Sequence, residues 1–202
     1  MFSFTRLRGA DPTLGVEMAS TGEVACFGEG QNEAFMQAML STTFQLPTKN
    51  QSILLSIATE AKRFELSESV VALVKLNKYK LYGTPGTAQY YKDRHNVDMT
   101  VVQKPADEAD DGEGTALFEI KAGKIDLVIN ISDGTVRKDE ITSGYLIRRA
   151  SVDFGTSLVT NVKCAVELVQ CLERGMDAPN AFEPRHIAEY YSIPSVGWTV
   201  KK

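Results

Sequence analysis

Two lysines and a Thr-x-x-Thr turn are the parts of this sequence best suited to holding an anion. The run Gly83-Thr84-Pro85-Gly86-Thr87 joins two hydroxyls to the start of a helix. Helix starts offer unpaired backbone N–H groups and a positive dipole end to phosphate or carboxylate. Alone, the run also reads as ordinary helix capping. Its force comes from company, because Lys62 and Lys104 each follow a different predicted strand. The carboxyl ends of the strands of an open parallel sheet share one edge, and ligands bind there. Lys62, Thr84, Thr87 and Lys104 are therefore expected to converge on one phosphate, with the side chains of Thr84 and Lys104 at the open edge of the sheet and outside its core. Asn130 and Ser132, just past another strand, suit a ribose or base, although the same types serve as turn residues. Arg148 and Arg149 are read as an ion pair with Asp153 rather than as ligands to phosphate.

Other chemistries find little support. No serine stands in a G-x-S-x-G turn, the G-x-G-x-x-G fingerprint is missing after the first strand, and neither His95 nor His186 follows a strand end. Cys26, Cys164 and Cys171 form no C-x-x-C pair, and an odd number argues against a disulfide framework. Cys164 and Cys171 lie seven apart and share one helix face, where packing explains them. With no histidine near them, a metal site is not expected. A net charge of −4 disfavours nucleic acid or an anionic membrane as the main partner. No apolar run approaches the roughly 20 residues of a membrane span, and the first residues lack a signal peptide's hydrophobic stretch. The expectation is a soluble, cytoplasmic protein.

The elements that must position these residues alternate short β-rich runs with longer helical stretches, the pattern of an α/β fold in which helices flank an open five-stranded parallel sheet. Strands are predicted at 53–57, 79–82, 97–102, 127–131 and 158–160. Helices are predicted at 31–40, through Leu66, Val70, Leu73 and Val74, and near 88–94, 116–122, 145–154 and 163–174, the last stopped by Gly175. The acidic, Gly-containing stretch 107–114 reads as a solvated loop. Pro47, Thr48 and Lys49 mark a linker, which divides the chain into 1–50, a domain over 51–175 and a weakly patterned tail over 176–202.

Particular residues carry a resemblance. Phe2-Ser3-Phe4-Thr5-Arg6-Leu7, Gly9-Ala10-Asp11-Pro12 and the run from Leu14 to Ala25 resemble the end of the second ATP-grasp unit of carbamoyl-phosphate synthase large subunits. The rest resembles the methylglyoxal-synthase-like domain that follows it, through Leu54-Leu55-Ser56, Thr84-Pro85-Gly86-Thr87, Ile125-Asp126-Leu127-Val128-Ile129-Asn130, Arg148-Arg149 and Leu158-Val159-Thr160-Asn161. The resemblance implies a remnant of the synthetase unit over 1–50 and an allosteric domain over 51–175. That domain binds a phosphorylated effector and has no catalysis or cofactor of its own. ATP and a divalent metal ion belong to the synthetase units of the parent, which works with a glutaminase part. Lys62, Thr84, Thr87 and Lys104 match the family's phosphate positions, with Asn130 and Ser132 on its ribose and base side.

The wording of residues 17–25 is similar to the eukaryotic, pyrimidine-pathway branch, which implies a uridine nucleotide or phosphoribosyl pyrophosphate as effector. Leu158 stands where bacterial relatives carry the aromatic hydroxyl that binds ornithine. Lys104 replaces a tryptophan of the ammonia-dependent branch, so the glutamine-dependent class is implied. The enzymatic alternative, a methylglyoxal synthase acting on a triose phosphate, requires histidine and aspartate after the first strand, where Ala58 and Thr59 stand.

Overall fold

A computed structural model of the chain describes residues 9–13, 24–133, 142–178, 181–182 and 185–190. The segments 2–7 and 14–23, which carry part of the resemblance, lie outside the described residues, as does most of the proline-containing tail. The elements run α1 (Gln31–Leu40), β1 (Ser52–Ile57), α2 (Glu60–Glu65), α3 (Ser67–Leu76), β2 (Lys80–Gly83), α4 (Pro85–His95), β3 (Thr100–Val101), α5 (Ala116–Lys121), β4 (Leu127–Ile131), α6 (Ser143–Asp153), β5 (Ser157–Val159), α7 (Val162–Glu173) and α8 (Ile187–Tyr190). The five strands form one parallel sheet in the order β3-β2-β1-β4-β5. The α/β architecture expected from the alternating pattern is the one observed.

β1 and β4 are buried along their whole length, which is why both read as continuous apolar runs and not as alternating ones. Alternate residues serve two layers. Ile53, Leu55, Ile57, Leu127, Ile129 and Ile131 pack with Met36 of α1, Val70 and Leu73 of α3, Tyr91 of α4 and Leu168 of α7. Leu54 and Val128 face the other way, onto Leu117 and Ile120 of α5 and Leu146 and Ile147 of α6. Asn130 and Ser56 have the parity of this second face and sit opposite each other in the sheet register.

The helix predicted at 31–40 lies at those residues and is held to the domain. Met36 is fully buried, the Asn32 side chain donates to Glu167 at 2.8 Å, and the Cys171 thiol donates to the Asn32 carbonyl at 3.3 Å. Burying a side chain of that size contributes roughly 1.5–3 kcal/mol, so α1 shares the core of the sheet domain.

Several expectations are corrected in detail. The third strand is two residues long. Asn96 takes a left-handed cap (φ 51°), and the chain reaches pairing distance of β2 only at Thr100 and Val101. The fourth helix starts at Pro85, inside the predicted turn, because proline is pre-set for the first helical position and Thr84 provides the extended residue before it. An unforeseen helix, α2, precedes α3, with Thr59 as its cap accepting from the Lys62 N–H. The short α8 lies in the tail read as irregular. Gly175 (φ 71°) ends α7 as expected. Among the described residues no helix is long and apolar enough to cross a membrane.

Candidate functional site at the strand ends

The sheet order reverses beside β1. β1 leads to β2 on one side, while β4 pairs with β1 on the other, and the carboxyl edge of such a reversal is where open α/β sheets bind ligands. Ser56 is level with Asn130 and Ile57 with Ile131, and the Ala58 N–H donates to the Ile131 carbonyl at 2.9 Å. Thr59 and Ser132 thus leave neighbouring strand ends. Thr84 leaves the end of β2 on the far side of β1, its N–H donating to the Leu55 carbonyl at 3.1 Å. Lys104 follows β3 on the edge of the sheet.

The two threonines are not at an open edge. Thr84 and Thr87 are 1% and 0% exposed. The Thr84 hydroxyl donates to the Thr87 hydroxyl at 3.2 Å, and that oxygen accepts from the Ile57 N–H at 3.1 Å. They lock the start of α4 to the end of β1, which corrects the expectation that Thr84 lies outside the core. Gly86 and the backbone at the start of α4 are what this turn can offer an anion. The cations differ in kind. Lys62 is half-buried and Lys104 exposed; neither side-chain ammonium enters a hydrogen bond or ion pair among the described residues.

Arg63 was not singled out by the sequence. Its Nε donates to the Ile57 carbonyl at 3.0 Å and its Nη2 to the Ala58 carbonyl at 3.2 Å. A Cβ on Gly86 would stand 3.4 Å from that Nη2, so glycine lets the α4 turn close against Arg63. An arginine three residues inside a helix start gives no sequence signal of this role.

The fourth strand end is organised by Arg148, and here the reading of the arginine pair is corrected. Arg149 does pair with Asp153, four residues on. Arg148 lies on another side of α6, is 5% exposed, and pairs instead with Asp11, its Nε donating to Oδ1 at 2.6 Å and its Nη2 to Oδ2. Its Nη1 donates to the Asn130 Oδ1 at 2.9 Å. The Nδ2 of Asn130, a residue only 2% exposed, has no hydrogen-bond partner among the described residues. An unpaired buried donor costs about 1–3 kcal/mol; the Tyr90 hydroxyl is the other buried side-chain group without a partner among the described residues, and Asn130 is the one of the two at the end of β4, on the sheet edge where ligands bind in such folds. Ser132 is half-buried beside it. Burial pushes the Asp11 carboxyl up, but the hydrogen bond and charge of Arg148 outweigh this and hold it below the usual aspartate value.

Elsewhere the chemistry is quiet. Burial pushes the Cys164 and Cys171 thiols up, away from thiolate reactivity. Among the described residues no group of His, Cys, Asp and Glu is placed to hold a metal ion. His95 ends α4, at the opposite edge of the sheet from Thr84. Two clefts, of about 380 and 400 Å³, are lined by Phe27, Arg185 and Tyr190 and by Tyr145, Arg149 and Lys121 among others. None of the six predicted residues lines either.

Comparison of the sequence with known proteins finds relatives of this chain. Residues 65–160 match the MGS-like domain family. The chain is 43% identical to the multifunctional protein ura1 of Schizosaccharomyces pombe over 179 residues, 87% of this chain and 8% of the relative. Over 188 residues it is 42% identical to the multifunctional protein CAD of Squalus acanthias, covering 88% of this chain and 8% of that one. With the mitochondrial carbamoyl-phosphate synthase [ammonia] of Mus musculus it shares 40% identity over 189 residues, 92% of this chain and 12% of the relative. The chain therefore spans about a tenth of the length of the curated relatives it matches.

Proposed function

Residues 65–160 form an MGS-like domain, and on that premise we propose that the chain contains the allosteric domain of a carbamoyl-phosphate synthase. In this reading it binds a phosphorylated effector, a uridine nucleotide or phosphoribosyl pyrophosphate, and so controls carbamoyl phosphate synthesis for pyrimidines. The observation that carries the reading is the buried Asn130 Nδ2, without a partner among the described residues, at the reversal point of the sheet, flanked by strand ends that bring two lysines whose ammonium groups have no partner among those residues. Lys62, Lys104 and the Thr84/Thr87 turn take the phosphate, and Asn130 and Ser132 take the ribose or base. The parent is a glutamine-hydrolysing ligase whose synthetase units use ATP and a divalent metal ion. Those units and the glutaminase part are the domain's protein partners, and the assembly is cytoplasmic. The domain itself performs no catalysis.

The test is calorimetric titration of the chain with UMP, UDP, UTP, IMP, phosphoribosyl pyrophosphate and N-acetylglutamate. A uridine nucleotide or phosphoribosyl pyrophosphate is expected to bind, and N-acetylglutamate is not. Silence from all six, or turnover of a triose phosphate by the same preparation, overturns the reading.

A further inference from the structure

Residues 9–11 lie along α6 as a strip gripped at three points. The Tyr145 hydroxyl donates to the Gly9 carbonyl at 3.0 Å, Arg149 Nη1 donates to the Ala10 carbonyl at 3.2 Å, and Arg148 holds the Asp11 carboxylate. Pro12, next in the chain, is buried. Arg148 is common to this grip and to the strand end. A guanidinium only donates, so the amide atom of Asn130 that faces Arg148 must be the oxygen, and Nδ2 must be the atom left for a ligand. Arg148 in turn is a buried cation, and a buried cation keeps its place only with a counter-ion. Asp11 is that counter-ion. Gly144 allows the approach, since a Cβ there would stand 3.2 Å from Arg148 Nη1 and 3.8 Å from Asn130 Oδ1.

We propose that Arg148, anchored by Asp11, is a positioning residue that fixes the Asn130 amide as a donor toward the effector and couples occupancy of the strand-end site to the docking of residues 9–11 on α6. The ligand group at Asn130 must then accept a hydrogen bond, as a carbonyl, hydroxyl, ring or phosphate oxygen does. An N–H at that place would meet another donor. By reciprocity, an effector that completes Asn130 tightens the strip, and loss of the strip weakens the effector. The ligand side of this inference rests on the effector reading above, whereas the coupling between Asn130 and the strip does not.

The experiment combines hydrogen exchange at residues 9–13 of the full chain with titration of UTP and phosphoribosyl pyrophosphate. Asn130→Leu removes the acceptor for Arg148 and should speed exchange at 9–13 several-fold without any ligand. Asp11→Asn leaves the buried Arg148 guanidinium without its counter-ion, so it should lower the thermal midpoint and weaken effector binding about 2- to 12-fold, the worth of one hydrogen bond. If Asn130→Leu folds by circular dichroism and keeps the unmodified exchange rate at 9–13, the coupling is wrong. Asp11→Asn binding the effector as tightly as the unmodified chain overturns it equally. Should neither compound bind the unmodified chain while Asn130→Leu speeds exchange, the coupling stands and the effector reading falls.

Discussion

The phosphate half and the amide half of the strand-end site are built on opposite plans. Around Thr84 and Thr87 the hydroxyls are buried and satisfy each other and the Ile57 N–H, while the ammonium groups of the half-buried Lys62 and the exposed Lys104 have no partner among the described residues. Around Asn130 the cation, Arg148, is buried and paired, while the amide donor is buried and unpaired. The first half is a rigid turn with flexible charges, suited to attracting any phosphate. The second half is rigid throughout, suited to selecting the group attached to it. In the proposed reading, charge gathers the ligand and a fixed dipole discriminates it.

The largest effect expected from breaking this contrast falls on the flexible charges. Lys104→Ala should weaken effector binding by about 10- to 150-fold, the loss of a charge-assisted hydrogen bond of roughly 1.5–3 kcal/mol. Stability should stay within about 0.5 kcal/mol, since the side chain is exposed. Titration at low and high salt checks the mechanism, because the unmodified chain should lose more affinity with salt than the variant. Equal affinity of variant and unmodified chain would remove Lys104 from the site.

Thr87→Val probes the rigid part of the same half. It conserves volume but leaves the buried Ile57 N–H without its acceptor, which costs about 1–3 kcal/mol of stability, read from the urea midpoint. The companion Thr84→Val removes a donor and leaves the Thr87–Ile57 bond in place, so its cost should be smaller, about 0.5–1.5 kcal/mol. Affinity should fall in both only as far as the α4 turn shifts. A loss of affinity with no loss of stability would mean that the hydroxyls touch ligand directly.

The frame of the site was legible in the sequence and its wiring was not. β1, β4 and the Thr84 turn follow from local pattern, because continuous apolar runs, a proline and an extended residue before it act within a few residues. The burial of Thr84 and Thr87 depends on how closely β1 passes α4, which no local pattern reports. Arg149 and Asp153 are four apart on a helix and could be paired by spacing alone. Arg148 finds its partners at positions 11 and 130, and separations of that length are set by the fold. The third strand was overread because Val97 and Val102 are both buried, and burial in the connection to an edge strand has the same composition as burial in a strand.

A pH titration separates the halves again. The folded Asp11 carboxyl sits below its ordinary value, so the stability it lends to the strip is complete above about pH 3.9, the ordinary aspartate pKa, and is lost as pH falls through the lowered folded value. Asp177 follows the same rule. Burial raises it, but the hydrogen bonds from Lys78 and Tyr79 prevail and hold it low. After correction for intrinsic rates, exchange at residues 9–13 should be flat from pH 7 to about pH 5 and rise only in acid. A rise near neutrality would assign the strip to some other titrating group.

The smallest effect is expected from the acidic loop that follows Lys104. The Gln103 N–H donates to the Gly114 carbonyl at 2.8 Å and Gln103 bridges to Thr115, so the ends of the excursion are already together and closing it more tightly costs little. Within it, Asp107 and Asp110 accept from the nearby Ala109 and Ala106 N–H groups; the first bond vanishes with the segment, and the exposed Ala106 N–H is left to water. Its ion pair to the domain among the described residues, Asp111 with Lys121 at 2.7 Å, is solvent-exposed on the aspartate side and worth about 0–1 kcal/mol. Replacing residues 107–111 by a short Gly-Ser linker should therefore change stability by no more than about 1 kcal/mol. Effector affinity should stay within a few-fold, with any change upward, because the removed carboxylates lie only three to seven residues from Lys104 in the chain and oppose the approach of an anion to it. A large loss of affinity in the shortened chain would make the loop a lid that contacts the ligand, and the flexible half of the site would then owe its selectivity to more than charge.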